Sequence, residues 1–226
     1  MPVGIVTGAS RGLGFELARA LASRGWRLVL DGRDVEALAE AADRIGGDIV
    51  ALPGDVSDDW HRGALAAAAG DRLDLLVNNA STLGPSPRPP LADFSIDELR
   101  RVYEVNVFAP LALVQNVLPL MADGAAILNV TSDAGAEPYE GWGGYGSSKA
   151  ALDQLTSILA AEHPALRIYS VDPGDMRTRM HQEAFPGEDI GDRPPPEESV
   201  PGLLALVGGT LRSGRYVARD MAVVPA

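Results

Sequence analysis

Residues 3–14 read Val3-Gly4-Ile5-Val6-Thr7-Gly8-Ala9-Ser10-Arg11-Gly12-Leu13-Gly14, and the amphipathic run Phe15–Arg24 follows directly. A short apolar strand that turns through three glycines straight into a helix is the opening of a βαβ unit. Glycine is needed there where the backbone takes special angles and where a diphosphate must come close to a helix N-terminus. Taken alone, Gly8, Gly12 and Gly14 also fit a plain turn and helix cap, so both readings stand, with nucleotide binding favoured.

Working outward from this turn, β-rich runs near residues 27–31, 48–52, 73–78, 125–131, 167–171 and 215–218 join the first at 3–7. Helical patterns lie between them at about 12–24, 34–45, 57–69, 95–120, 145–162 and 197–212. Such alternation implies parallel pairing with right-handed crossovers, so the expected class is α/β: a Rossmann-type doubly wound fold, its seven-stranded, mainly parallel sheet covered by helices on both faces. Ligands of that architecture sit at the carboxyl ends of the strands. With 226 residues and no linker or repeat, one domain over 1–226 is expected. Two segments lack regular pattern and are candidate substrate loops, at about 83–95 and 179–198; Leu83–Pro90 holds four prolines and Arg179–Glu198 four more.

Composition narrows the function classes. Hydrophobic residues at 46% supply a sizeable core, while 19 Lys+Arg against 31 Asp+Glu leave a net charge of −12 that repels a phosphate backbone. Nucleic acid and membrane surfaces are therefore not expected partners. Zero cysteines exclude disulfides, thiolate metal sites and a cysteine nucleophile. The N-terminus lacks the pattern of an export signal, and no apolar run approaches the roughly 18 residues of a membrane span. A soluble, cytoplasmic protein is the expectation.

Polar side chains then cluster at the ends of the expected strands. Gly54-Asp55-Val56 ends the third and Asn78-Asn79-Ala80 the fourth. Either could face a ligand; equally, Asp55 could cap the helix beginning near Ser57 and the asparagines could shape a turn. Tyr145-Gly146-Ser147-Ser148-Lys149 gives the sharpest signal, since i, i+4 spacing sets phenol and ammonium on one helix face. Lys149 is the only lysine, the other 18 basic residues being arginine, so a compact point charge stands at this one place. An ammonium near a phenol favours phenolate and lowers the tyrosine pKa, which makes the pair an acid/base unit. The plain alternative is an exposed lysine beside a half-buried tyrosine. Thirteen residues before Tyr145, Ser132 ends the fifth strand and could hydrogen-bond a substrate oxygen, although alone it reads as a turn residue.

In order and spacing, Thr7-Gly8-xxx-Gly12-x-Gly14, Asp55, Asn78-Asn79-Ala80, Asn106, Ser132, Tyr145-xxx-Lys149 and Pro173-Gly174-xxx-Thr178 resemble the short-chain dehydrogenase/reductase family, over residues 3 to about 178. The match is to its short single-domain branch. The resemblance implies an NADP(H)-dependent oxidoreductase that moves hydride between nicotinamide and a carbonyl or alcohol carbon of a small molecule. Tyr145 would be the acid/base and Lys149 its modulator and a ligand of the nicotinamide ribose; Ser132 would hold the substrate oxygen. Asn106 would belong to a proton relay, and Pro110 adds a physical reason, since it lacks the N–H that would bond the Asn106 carbonyl. Ser10, Arg11, Leu13, Val56, Pro173 and Gly174 would line the cofactor, Asp55 would contact adenine, Asn79 and Ala80 the adenosine ribose, and Val171 with Thr178 the carboxamide. An NAD-dependent alcohol dehydrogenase and a non-catalytic cofactor-binding regulator are the alternatives.

Cofactor choice is read from the end of the second strand, Leu28-Val29-Leu30-Asp31-Gly32-Arg33. Asp31 stands close to where an NAD enzyme places an acid on the ribose 2′-hydroxyl. On the family pattern that acid falls one position later, at Gly32, and Arg33 follows with a guanidinium suited to a 2′-phosphate. Arg11 adds a second positive group, so NADP(H) is expected over NAD(H). A homodimer is expected through the helices at 95–120 and 145–162, with Val102, Val105, Leu152, Leu155 and Leu159 as apolar surface. Two departures are visible: Ser81 replaces the usual glycine after Asn-Asn-Ala, and only Met221–Ala226 follow the last strand, which speaks against a tail-mediated tetramer. Asp133, Glu137, Tyr139 and Trp142 would shape the substrate pocket.

Overall fold

The computed structural model describes residues 1–221; positions 222–226, on which the expectation about the tail rests, lie outside the described residues. In chain order the strands are β1 (Val3–Val6), β2 (Arg27–Gly32), β3 (Ile49–Pro53), β4 (Leu73–Asn78), β5 (Met121–Val130), β6 (Arg167–Asp172) and β7 (Gly214–Val217). The helices are α1 (Gly12–Ala22), α2 (Val35–Ile45), α3 (Asp59–Ala69), α4 (Ile96–Tyr103), α5 (Ala109–Val117), α6 (Gly143–Glu162), α7 (Arg179–Ala184), α8 (Val200–Gly208) and α9 (Ala218–Met221). The strands form one sheet in the order β3-β2-β1-β4-β5-β6-β7. Every pairing among the described residues is parallel, so the mainly parallel sheet of the expectation is parallel throughout.

Two apolar cores flank this sheet because its central strands are buried on both faces. One packs Leu13, Leu17 and Leu21 of α1 with Leu203 and Leu206 of α8 against Leu28, Leu30, Leu75 and Leu128. The other packs Leu65 of α3, Leu113 and Val117 of α5 and Leu159 of α6 against Ile5, Val29, Leu76 and Ile127. The strand order reverses between β1 and β4, and their carboxyl ends open a crevice there, where a doubly wound sheet binds its ligand.

Several boundaries move for local reasons. β5 starts at Met121 rather than near 125, because a register shift lets five of its residues span what two cover on β4, from Leu73↔Met121 to Leu75↔Ala126. The helix expected over 95–120 is interrupted: Glu104–Phe108 is a π turn, and the Ala109 N–H donates to the Glu104 carbonyl five residues back. α6 begins at Gly143, two residues early, since Gly143 and Gly144 pack on the side chains of Leu91 and Phe94, where a Cβ on Gly144 would fall 2.5 Å from the Phe94 ring. Within the segment expected as an irregular loop at 179–198, the structure places the short helix α7, capped by Thr178 Oγ1 accepting from the His181 N–H. Among the described residues no helix is long and apolar enough to cross a membrane.

Candidate active site

The glycine turn is held by the strand beside it. The amides of Asn79 and Ala80 donate to Thr7 Oγ1 at 2.9 and 3.0 Å, while Asn79 Nδ2 donates to the carbonyls of Thr7 and Gly8 at 2.9 and 3.1 Å. The Asn79 amide nitrogen is therefore spent on the turn, while the residue still lines the crevice. Gly8 has φ of 64°, and a Cβ there would sit 2.9 Å from Ala80 Cα. A Cβ on Gly14 would sit 2.5 Å from the Gly8 carbonyl oxygen, so Gly14 serves the packing beneath the turn.

Above the turn there is room. A Cβ on Gly12 would meet only Thr178 Cγ2, at 3.6 Å. The N-terminus of α1 receives no side-chain cap from Arg11 and has no acid in its first turn, so its amides and dipole are free for an anion. This cradle fits the diphosphate of a dinucleotide.

Acids and arginines line the adenosine side of the crevice. Arg33 is exposed and has no ion-pair partner within 4 Å among the described residues. Arg11 Nη2 lies 3.2 Å from Asp34 Oδ2, and Asp34 also caps α2 through the Ala37 N–H at 3.1 Å. Asp31 is turned inward: its Oδ1 accepts from the Gly8 N–H at 2.7 Å and its Oδ2 meets His61 Nε2 at 3.2 Å. Asp55 accepts from the Ser57 N–H and hydroxyl at 2.9 and 2.7 Å, and the α3 cap expected of it belongs to Asp58. Burial alone pushes the Asp55 carboxyl up, but the two Ser57 bonds, with Arg33 and His61 nearby, hold it below its usual range.

The reactive end lies at the tips of β5 and β6. Ser132 follows β5, and its hydroxyl donates to Asp133 Oδ1 at 2.9 Å. Arg215 of β7 fixes this corner, with Nη2 donating to the Ser132 carbonyl at 3.0 Å and Nε to Asp153 at 3.2 Å. Tyr145 and Lys149 open α6, 8% and 2% exposed, which excludes the exposed-lysine alternative. The Lys149 ammonium donates to the Val130 carbonyl at 2.8 Å and lies 5.4 Å from the Tyr145 ring centroid.

This geometry overturns the expected pKa relation. Burial pushes the Tyr145 phenol well above its usual value; the Ser132 hydroxyl opposes this, the Asp172 and Asp133 carboxylates add to it, and the Ser81 hydroxyl opposes it. The ammonium faces the ring and a main-chain carbonyl, so it does not outweigh desolvation. Burial likewise pulls Lys149 down from 10.5 to about 8, with Asp153 resisting.

Asn106 lies beneath the site, fully buried, and braces it. Its Oδ1 accepts from Ser81 Oγ at 3.1 Å and the Thr82 N–H at 2.9 Å; its Nδ2 donates to the Thr82 carbonyl at 2.9 Å and Ser148 Oγ at 3.0 Å. The hydroxyl that replaces the usual glycine hydrogen thus joins the strand-end loop to the π turn. Val171 is wholly buried in the first core and does not reach the crevice, contrary to its expected contact with the carboxamide.

One crevice of about 1110 Å³ gathers most of the candidates: Gly8, Ser10, Arg11, Gly12, Leu13, Arg33, Asp55, Val56, Asn79, Ala80, Ser132, Tyr145, Lys149, Pro173, Gly174 and Thr178. That exceeds the ~300–1,000 Å³ of ordinary small-ligand pockets and leaves room for a dinucleotide with a second molecule. Gly14, Asn106 and Val171 stay outside its lining. Met180, His181 and Phe185, which line it, come from the substrate loop expected at 179–198, although no single residue there stood out, whereas Met176 in the lining and Arg215 beside it carry no sequence signal. The two substrate loops meet over it, as Ser86 Oγ donates to the Glu183 carbonyl at 2.7 Å and the Arg88 guanidinium lies 3.8 Å from the Trp142 ring centre.

Residues 2–189 match the family model described as short chain dehydrogenase. The rhamnolipid-biosynthesis 3-oxoacyl-[acyl-carrier-protein] reductase of Pseudomonas aeruginosa is 35% identical over 192 residues, 79% of this chain and 74% of that protein. The sepiapterin reductase of Bos taurus is 32% identical over 199 residues, 80% of this chain and 74% of its own. Among solved structures, a short chain dehydrogenase of Escherichia coli CFT073 complexed with NADPH superposes with a TM-score of 0.89 at 31% identity, covering 96% of both chains.

Burial of Lys149 predicts a pH-dependent stability difference. With a folded pKa of about 8 against 10.5, the charged form is disfavoured in the folded state, so the penalty is complete below pH 8 and gone by about 10.5. Lys149→Met removes it, leaving a constant offset from the Val130 carbonyl that loses its donor. The unfolding free energy of the variant minus that of the wild type should fall by about 2–3 kcal/mol between pH 7 and pH 10, each tenfold change in proton affinity being worth ~1.4 kcal/mol. Urea titrations at both pH values check this, and an unchanged difference contradicts the buried ammonium.

Proposed function

The chain belongs to the short-chain dehydrogenase/reductase family of oxidoreductases acting on CH–OH and C=O groups, and from that premise we propose that it reduces the carbonyl of a small molecule with NADP(H), using Tyr145 as acid/base on a single nucleotide-binding domain. The observation that carries this reading is convergence. Ser132, Tyr145 and Lys149 open onto the same crevice as the glycine cradle.

When bound there, the nicotinamide supplies or accepts the hydride. Ser132 Oγ hydrogen-bonds the substrate oxygen, and Tyr145 gives that oxygen its proton. Burial keeps the Tyr145 phenol protonated at neutral pH, as an ordinary phenol is, so it carries the proton that reduction consumes, and the cost of leaving a buried phenolate falls to its neighbours to offset. Lys149, still an ammonium below about pH 8, stabilises the phenolate left behind and offers donors to the nicotinamide ribose hydroxyls. The Asn106 main-chain carbonyl, without a donor from Pro110, holds the water through which Tyr145 regains its proton. Leu83, Trp142, Met180 and Phe185 give the substrate side an apolar, aromatic wall.

NADP(H) is favoured because Arg33 is exposed and unpaired among the described residues while both Asp31 oxygens are engaged within the protein. The NADPH-bound relative fits this choice. A free Asp31 would favour the NAD-dependent alternative, and a non-catalytic regulator has no use for the Ser132, Tyr145 and Lys149 set.

The homodimer is proposed on different residues from those expected, since Val102, Leu152 and Leu159 are buried in the protomer at 1%, 3% and 9% exposure. Phe108 before α5 and Ile158 on α6 are 51% and 42% exposed and supply the apolar surface instead.

Three outcomes test these assignments. Tyr145→Phe should lower turnover on a panel of ketones and aldehydes by a factor on the order of 10²–10⁴ while NADPH affinity holds, and wild-type turnover would refute the mechanism. Arg33→Ala should lower the NADPH-to-NADH ratio of catalytic efficiencies on the order of tenfold, the loss of one charge-assisted phosphate contact. Light scattering should show a dimer for the wild type and a monomer for Phe108→Asp; a monomeric wild type at micromolar concentration removes the interface.

A further inference from the structure

Asp31 is an acid at the adenosine end of the crevice, and a carboxylate free at that point takes ribose hydroxyls and repels a 2′-phosphate. Here it is 2% exposed and both of its oxygens are engaged. One accepts from the Gly8 N–H at 2.7 Å; the other meets Nε2 of His61 at 3.2 Å. His61 comes from α3, on the far side of the strand ends, and is 4% exposed. The turn after β3 is shaped around it, because a Cβ on Gly54 would lie 2.2 Å from His61 Nδ1. Three separate pieces of chain are thus adapted to keep an imidazole against this carboxylate.

We propose that His61 is a positioning residue for cofactor selection: it anchors the Asp31 carboxylate inward and so leaves the strand end open to an adenosine ribose that carries a 2′-phosphate. The inference rests on the NADP(H) reading above. Without the imidazole, one Asp31 oxygen loses its partner in a buried setting, and the carboxylate turns towards the crevice to recover donors. There it opposes the negative charge of the phosphate and welcomes a free ribose diol. His61 touches neither the cofactor nor the reacting atoms, so its effect reaches the ligand only through Asp31.

The experiment is direct binding of NADPH and NADH by calorimetry, without substrate, to the wild type, His61→Leu, His61→Gln and the double variant His61→Leu/Asp31→Asn. His61→Leu should lower the ratio of NADPH to NADH affinity on the order of tenfold, equivalent to about 1.4 kcal/mol. His61→Gln, whose amide nitrogen can replace Nε2, should keep the wild-type ratio. The double variant should recover it, since the asparagine carries no charge to oppose the phosphate; mere loosening of the fold would not be reversed in this way. Gly54→Ala, which displaces the ring without altering either polar group, should mimic His61→Leu if the leucine variant does not fold. An unchanged ratio in His61→Leu or Gly54→Ala, alongside a wild type that prefers NADPH, overturns this inference and leaves the cofactor reading intact. A wild type that prefers NADH overturns both, because Asp31 then serves the ribose.

Discussion

How closely the end of β1 can approach the end of β4 controls everything at the crevice. Asn79 and Ala80 donate hydrogen bonds across that junction to Thr7 and Gly8, with main chain and side chain both engaged, at 2.9–3.1 Å. The approach is close enough that neither Gly8 nor Gly14 can carry a Cβ. The sheet reverses its strand order at the same junction, so the clamp fixes both the mouth of the crevice and the direction of α1. An uncapped helix N-terminus is unfavourable in a finished protein and useful in one that leaves an anion to complete it.

From this clamp outward, polar groups are arranged in a supporting shell whose members face one another more than they face the crevice. Asn78, Asn129 and Thr156 form a buried ladder across β4, β5 and α6, with both amide bonds at 2.8 Å. Asn106 ties the loop after β4 to Ser148 on α6. Arg215 ties β7 to the main chain of Ser132. These bonds hold Ser132, Tyr145 and Lys149 in register even though the three arise from two separate elements, and a satisfied buried network of this kind gives a single arrangement.

Placing an ammonium and a phenol in that interior sets function against stability. Each is desolvated in its charged form, which is why Tyr145 rises and Lys149 falls. The two groups, nearly equal in proton affinity in water, are thereby driven apart, the phenol holding its proton more tightly and the lysine less. Asp172, also pushed up by burial despite the Gly174 amide and the Arg215 and Arg219 guanidiniums, belongs to the same electrostatic setting. The acids on this side strengthen the retention of the Tyr145 proton.

The order of elements, the parallel sheet, the glycine cradle and the Tyr145–Lys149 pair were all legible in the sequence, because each depends on local spacing: short β-rich runs, glycines at a turn, and i, i+4 on one helix face. Boundaries failed where a contact distant in sequence decided them, as when Phe94 and Leu91 allowed α6 to start on two glycines, or when pairing with Leu73 drew β5 back to Met121. The roles of Asn79, Asp31 and Val171 could not be read from their positions in the chain, since a polar or apolar residue at a strand end faces ligand or protein according to what packs opposite it. Thr7, His61 and the first core respectively were opposite, and none is a neighbour in sequence. The pKa relation inverted for the same reason: spacing brings a phenol and an ammonium onto one face, but how much water they lose is set by the whole fold around them.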